Sequence, residues 1–302
     1  MKKISIVMLL ASSFWGMAQE RPQMNDIDTN DVELTPVFVC MPAIATDRPD
    51  FSETAQIVPI GWLQYEAGYQ FSHVEERISL TTITNTHQFE EVFRFGVNRR
   101  FEARAIINAN TQHVDYTDTW NDPARFTGVN PITIGFKYNL LEESDLRPHV
   151  TWKSHLTLPW VAAGDYRVMT QGNLVLHQQR LLLEKRLLPW LNIASNIGVS
   201  GGLQGSNGFI NAGMFSVATA VDVNNGYSVF AEYFTQWFVA GTQFFGTPYV
   251  DGGLTKQWSN DLQFDIYGGY DISQWAGSRL NTHGFFMGIG MSYRLPLAAY
   301  MN

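Results

Sequence analysis

The chain has 302 residues, 45% hydrophobic and 14% aromatic, with 20 Lys and Arg against 28 Asp and Glu, a formal net charge of −8, and one cysteine. That acidic balance argues against nucleic acid as a partner, and a lone cysteine excludes an internal disulfide. A mean hydropathy of −0.12 argues against a bundle of apolar membrane helices, but suits strands that are polar on one face and aromatic on the other.

Lys2 and Lys3 precede an apolar run from Ile4 to Leu10 that resumes at Phe14 and Trp15. Gly16 and Ala18 follow at signal-peptidase spacing, which predicts an export signal over residues 1–18. The run is shorter than the ~20 residues of a spanning helix. Cys40 lacks lipobox surroundings, so no lipid anchor is expected. Residues 19–59 carry Pro22, Pro36, Pro42, Pro49 and Pro59 and read as an irregular, plug-like periplasmic segment without a core of its own.

Alternation then begins. In a first strand from about Ile60 to Phe71, Leu63, Tyr65, Ala67, Tyr69 and Phe71 oppose Gln64, Glu66, Gly68 and Gln70. Phe89 to Asn98 and Phe101 to Asn110 form a hairpin. Ile132 to Leu140 and His149 to Leu158 follow. A segment near Asn173 to Lys185 has a broken pattern. Leu191 to Leu203 alternates clearly; Phe209 to Val221 is apolar on both faces. Tyr227 to Trp237, a weak Pro248 to Trp258, Leu262 to Asp271, and Gly284 to Leu295 complete twelve, an even number as single-chain barrels require. Links after even-numbered strands are short, and those after odd-numbered strands are mostly long, the asymmetry of outer-membrane barrels. The prediction is an all-β, 12-stranded antiparallel transmembrane β-barrel over residues 60–295, with an irregular N-terminal segment and a tail at 296–302.

Thr46-Asp47-Arg48-Pro49-Asp50, then Ser52-Glu53, then Gly61-Trp62-Leu63-Gln64-Tyr65-Glu66 resemble the start of a bacterial outer-membrane transporter family described under the meta-pathway of phenol degradation. Asp251-Gly252-Gly253-Leu254, Leu262-Gln263-Phe264-Asp265 and Gly288-Ile289-Gly290-Met291-Ser292-Tyr293-Arg294 are similar to its closing strands. The likeness spans most of residues 45–295. It implies a barrel that passes small, often hydrophobic, compounds. The chain departs from usual barrel endings by running on to Asn302 without a terminal aromatic.

On the predicted inward faces stand Glu66, Glu90, Arg94, Glu102, Arg104, Lys137, Lys153, His155, Glu232, Asp265 and Arg294. Both signs are present, so pairing within the lumen is one reading and a selectivity filter the other. Asp47, Arg48, Asp50 and Glu53 are the plug or gate candidates. Arg48 carries a donor fork suited to carboxylates and is expected to meet Glu66 or Glu102. A simple tether is the alternative. Ser154 and His155 are adjacent and so face opposite ways, which argues against a lipid hydrolase. His149 and His155 lie ~20 Å apart at strand rise, too far for one metal; His155 and His177 could approach across adjacent strands, without supporting ligands. No cofactor, metal or enzymatic activity is expected. The expected function is passive passage of a small solute through the outer membrane of a Gram-negative bacterium. The expected partners are outer-membrane lipid, that solute, and the export and barrel-assembly machinery, with the chain a monomer. The alternative is an architectural or adhesive barrel with a sealed bore.

Overall fold

A computed structural model describes residues 42–49, 51–77, 81–117, 121–166, 175–203, 209–240, 243–274 and 282–297; the predicted export signal, Cys40 and Asp50 lie outside them. The strands are β1 (Trp62–Arg77), β2 (Thr81–Asn98), β3 (Phe101–Tyr116), β4 (Ala124–Val129), β5 (Ile132–Leu141), β6 (His149–Leu158), β7 (Ala163–Gly164), β8 (Leu176–Leu188), β9 (Leu191–Leu203), β10 (Phe209–Asn224), β11 (Tyr227–Ala240), β12 (Gln243–Ser259), β13 (Leu262–Asp271) and β14 (Thr282–Pro296). Twelve of these close a ring in which every neighbour is antiparallel, sealed where β1 pairs with β14 from Trp62↔Pro296 to Glu76↔Thr282. The fold is a closed, 12-stranded transmembrane barrel.

The two remaining strands add no new stave. β5 holds the lower half of β3 (Phe101↔Tyr138 to Ile106↔Thr133) and β4 holds the upper half (Ala109↔Val129 to Val114↔Ala124). Between them Pro131 has no N–H to give the ladder, and Ile132 donates instead to the Val161 carbonyl at 3.0 Å. β7 is a two-residue patch on β4.

Alternation dictates the wall. Tyr69, Phe89, Ile134, Trp152, Val199, Tyr233, Ile266 and Ile289 are exposed on the outside, while Gln64, Glu66, Arg94, Lys137, Asn196, Ser216 and Ser292 are almost fully buried inside. This is inverted relative to a water-soluble protein and is what lipid around a wet bore demands. At the end of the short turns, the β2–β3, β5–β6, β8–β9, β10–β11 and β12–β13 hairpins each carry a register shift next to the turn. Such bulges raise local twist and suit a barrel rim. The Asn225-Gly226 turn places both residues at positive φ (51° and 75°), the geometry a two-residue hairpin needs.

Several strands run past their predicted ends. β1 continues to Arg77 and β2 begins at Thr81, so most of the expected loop from Ser72 to Thr86 is strand. β3 reaches Tyr116, β4 occupies part of the expected loop from Thr111 to Gly128, and β12 starts at Gln243 rather than near Pro248. The reason is the height of the lipid. The apolar outward positions of β1 run from Leu63 to Phe71, about 27 Å along the strand. Beyond them His73 and Glu75 face outward. Above that level both faces meet water, so alternation of hydrophobicity ends although hydrogen bonding does not.

Candidate functional site

The inner wall near the short-turn end is unevenly charged. β2, β3, β5, β6 and β8 present Arg94, Arg104, Lys137, Lys153 and Arg180 against the carboxylates Glu66, Glu102 and Glu184, an excess of cations, whereas β11, β12 and β13 present Glu232, Asp251 and Asp265. Across this gap runs the N-terminal segment, which has no regular structure in its described residues 42–49 and 51–59 apart from bends. Its charges match the two sides.

On the basic side, Asp47 accepts from Arg104 Nη1 and Lys137 Nζ, each at 2.5 Å, with Arg94 Nη1 at 3.5 Å. Glu53 bonds Lys153 and lies 3.3 Å from Arg180, 3.4 Å from Arg104 and 3.8 Å from Lys137. On the acidic side, Arg48 Nη2 reaches Asp265 at 3.3 Å, and the Phe51 amide and Ser52 hydroxyl donate to Glu232 at 2.6 and 2.5 Å. Arg48 therefore does not meet Glu66 or Glu102 as expected. Those carboxylates are already taken by Arg94, at 2.8 and 2.9 Å, all three side chains being 0% exposed. The Asp47 amide, not Arg48, is what the segment gives Glu66 (3.2 Å).

The backbone of the segment is held by side chains of the wall. Glu184 receives Thr54 Oγ1, the Ala55 amide and Gln56 Nε2. Asn196 exchanges two bonds with the Glu53 backbone, Thr151 donates to the Ala55 carbonyl, and Glu102 accepts from the Val58 amide at 2.8 Å. Arg294 binds the Pro42 carbonyl at 2.8 Å and Asp261 at 2.7 Å, fixing the entry at the rim. This satisfies the polar groups of a chain that makes no ladder of its own. A Cβ at Gly68 or Gly290 would fall on the Arg48 guanidinium, so the bare strands β1 and β14 there are what lets that side chain lie flat against the wall.

Of the other expected lumen residues, Glu90 borders the open space above the segment, and His155 is buried on the same face as Lys153. His155 is registered with Gln178 and His177 with Leu156, so these histidines face opposite ways and cannot approach as expected. No cluster of three or more His, Cys, Asp or Glu suited to a metal occurs among the described residues. Sequence reasoning missed Gln64, Thr151, Arg180, Glu184, Asn196, Ser216 and Asp251. Most of them sit on strands whose alternation is weak or are uncharged, and their importance comes from what lies opposite.

Above the segment opens a cavity of about 720 Å³ whose floor is Asp47, Arg48, Pro49 and Phe51. One side is aromatic: Phe51 stacks on Phe234 at 4.5 Å, Phe234 on Tyr249 at 4.9 Å, and Phe286 lies 6.2 Å from both Phe234 and Tyr267. The other side is polar, with Gln70, Gln88, Glu90, Gln178 and Arg180.

Burial alone would raise the Asp47 carboxyl, but Arg104, Arg94 and Lys137 outweigh it and hold it at about 2, below its ordinary 3.8. Burial opposes the charged form of Glu53 too, and Lys153, Arg104 and Arg180 push it well below its ordinary 4.5. Depressed values mean that docking is fully present above the ordinary values and is lost only as the pH falls through the depressed ones. Asp47 and Glu53 should therefore stay ionised from about pH 7 to about pH 5, as isotope-edited infrared of their carboxylate stretches checks; protonation of either over that interval would contradict the pairing.

No protein-family model and no curated protein matches the chain. Among solved structures it is similar to the COG4313 outer membrane channel from Pseudomonas putida F1, at 11% identity and a TM-score of 0.61 over 80% of this chain and 98% of that one. It is also similar to the translocator domain of the autotransporter NalP from Neisseria meningitidis, at 10% identity and a TM-score of 0.52 over 77% of this chain and 88% of that one. At such identity the likeness is one of fold.

Proposed function

We infer that the chain is an outer-membrane channel for a small solute, gated at its periplasmic end by residues 42–59. The observation that carries this reading is the position of the segment. Its residues Asp47, Arg48, Pro49 and Phe51 line the cavity of about 720 Å³, and its bonds to Arg294, Glu184 and Glu102 tie it across the wall beneath. The solute enters from the long-loop side, rests against the aromatic wall, and passes once the segment shifts. Rings on one side and amides on the other suit a small molecule with an apolar face, in keeping with the hydrophobic compounds implied by the resemblance to the phenol-degradation family. The fold shared with the COG4313 outer membrane channel supports the location and the class of function. Export and assembly machinery deliver the barrel, as a monomer, to outer-membrane lipid.

Arg48→Ala tests the gate. It removes the partner of Asp265 and empties the space against Gly68 and Gly290, so single-channel conductance in planar bilayers should rise. Unchanged conductance together with unchanged detergent resistance would remove the gate from the account. The dense bonding of the segment to the wall favours a second reading, a permanently sealed architectural barrel. Liposome swelling separates the two, because solute-dependent swelling requires passage.

A further inference from the structure

Two carboxylates of the N-terminal segment, Asp47 and Glu53, do more than anchor it. At the level of the segment, β1 to β8 carry five buried cations, Arg94, Arg104, Lys137, Lys153 and Arg180, and three buried carboxylates, Glu66, Glu102 and Glu184. Among these buried groups two positive charges are left over, with Glu90 on β2 facing the cavity above them, and Asp47 and Glu53 supply two negative ones. The matching is local. Arg94 is occupied by Glu66 and Glu102, and Glu184 spends its oxygens on the Thr54 hydroxyl, the Ala55 amide, Gln56 and Asn192 rather than on a cation. Lys137, Lys153 and Arg180 have no wall carboxylate as ion-pair partner among the described contacts, and Arg104 has only Glu102 at 3.4 Å. Their close partners are Asp47 and Glu53.

A buried cation needs an anion against it, because desolvation without a partner is costly. We propose that the arc of Arg104, Lys137, Lys153 and Arg180 is a carboxylate-binding site of the channel, occupied in the resting barrel by Asp47 and Glu53, and that it takes small carboxylate solutes whenever those two groups are withdrawn. The arc is built for the task. Arg104 and Lys137 bind one plug carboxylate together, and Lys153 and Arg180 bind the other. Arg180 also lies over the Phe51 ring at 5.0 Å and borders the cavity from which a solute would come. This inference rests on the channel reading and names the class of solute it favours.

The test uses the full-length barrel in detergent, comparing wild type with Asp47→Ala/Glu53→Ala, which removes both carboxylates and vacates the space beside the four cations. Sodium succinate should raise the temperature at which the variant loses its folded gel mobility by about 5 °C at saturation. It should not move the wild type, whose site is filled. Succinamide and sodium chloride at matched ionic strength should move neither. If the variant does not fold, Glu53→Ala alone, which keeps the Asp47 anchor and vacates the space beside Lys153 and Arg180, is titrated with sodium acetate in the same way. No stabilisation of the variant, equal stabilisation of wild type, or an equal effect of chloride would overturn the site. Liposome flux distinguishes the two readings. A barrel that passes solute but ignores carboxylates loses this inference alone, and one that binds succinate but passes nothing loses the channel reading.

Discussion

Replacing Arg94 with leucine should unseat the N-terminal segment and leave the barrel folded. Arg94 is 0% exposed, and its guanidinium touches Glu66, Glu102 and the carbonyls of Ala45 and Gln56 at 2.8 to 3.1 Å. Removing one partner from a buried ion pair costs ~3–5 kcal/mol, because the surviving charge is left without water or a counter-ion. Here two carboxylates survive. The strain can be relieved by unfolding the wall or by letting water in. The wall is a closed ladder with no free edge, whereas the segment is held by side-chain bonds worth about 0.5–1.5 kcal/mol each. The segment should therefore yield first. The expected result is a barrel with ordinary heat-modifiable gel mobility whose resting conductance rises to that of an unplugged bore. A parallel Arg77→Leu, which removes the exposed pair with Glu75 (52% and 25% exposed), should change stability by less than ~1 kcal/mol. An Arg94→Leu barrel that stays closed would mean that the ion pairs of Asp47, Arg48 and Glu53 and the backbone bonds hold the segment without Arg94.

The strands and their facing were legible because lipid and lumen impose a period of two. Leu63 to Phe71 and Phe285 to Tyr293 declare their outer faces with an aromatic or aliphatic residue at almost every second position. That signal failed in β8, where Leu182 points inward while His177, Gln179 and Lys185 have the outward parity, so that the two faces differ little in polarity. It failed again above the lipid, where β1, β2 and β3 continue in water. The charged lumen was legible as a set, since each of Glu66, Arg94, Glu102, Arg104, Lys137 and Lys153 sits opposite an apolar face. The pairing was not. Arg48 had two plausible carboxylates on β1 and β3, and only the fold shows that Arg94 reaches both first, leaving Asp265 on β13, more than two hundred residues away. Glu184 and Asn196 carry no local mark of their task, because what they bind is backbone arriving from the far end of the chain.

The same division of charge explains why a segment without regular structure can be placed so definitely. An excess of cations on one side and carboxylates on the other let Asp47 and Glu53 pair with Arg104, Lys137, Lys153 and Arg180 while Arg48 pairs with Asp265. Register is thus set electrostatically where no ladder exists to set it.

Locking the segment to the wall asks most directly whether it is the gate. The Ser52 and Ser216 hydroxyl oxygens lie 2.7 Å apart, about 0.7 Å more than a sulfur–sulfur bond, so a small approach of the segment would let two cysteines there bridge. With Cys40 replaced by serine, Ser52→Cys/Ser216→Cys should form a cross-link between segment and β10 under mild oxidation. Solute-dependent swelling of liposomes carrying the oxidised barrel should cease and should return on reduction. Swelling by the oxidised, fully cross-linked barrel at the rate of its reduced form would contradict a movable floor and leave the N-terminal segment as a fixed part of the wall.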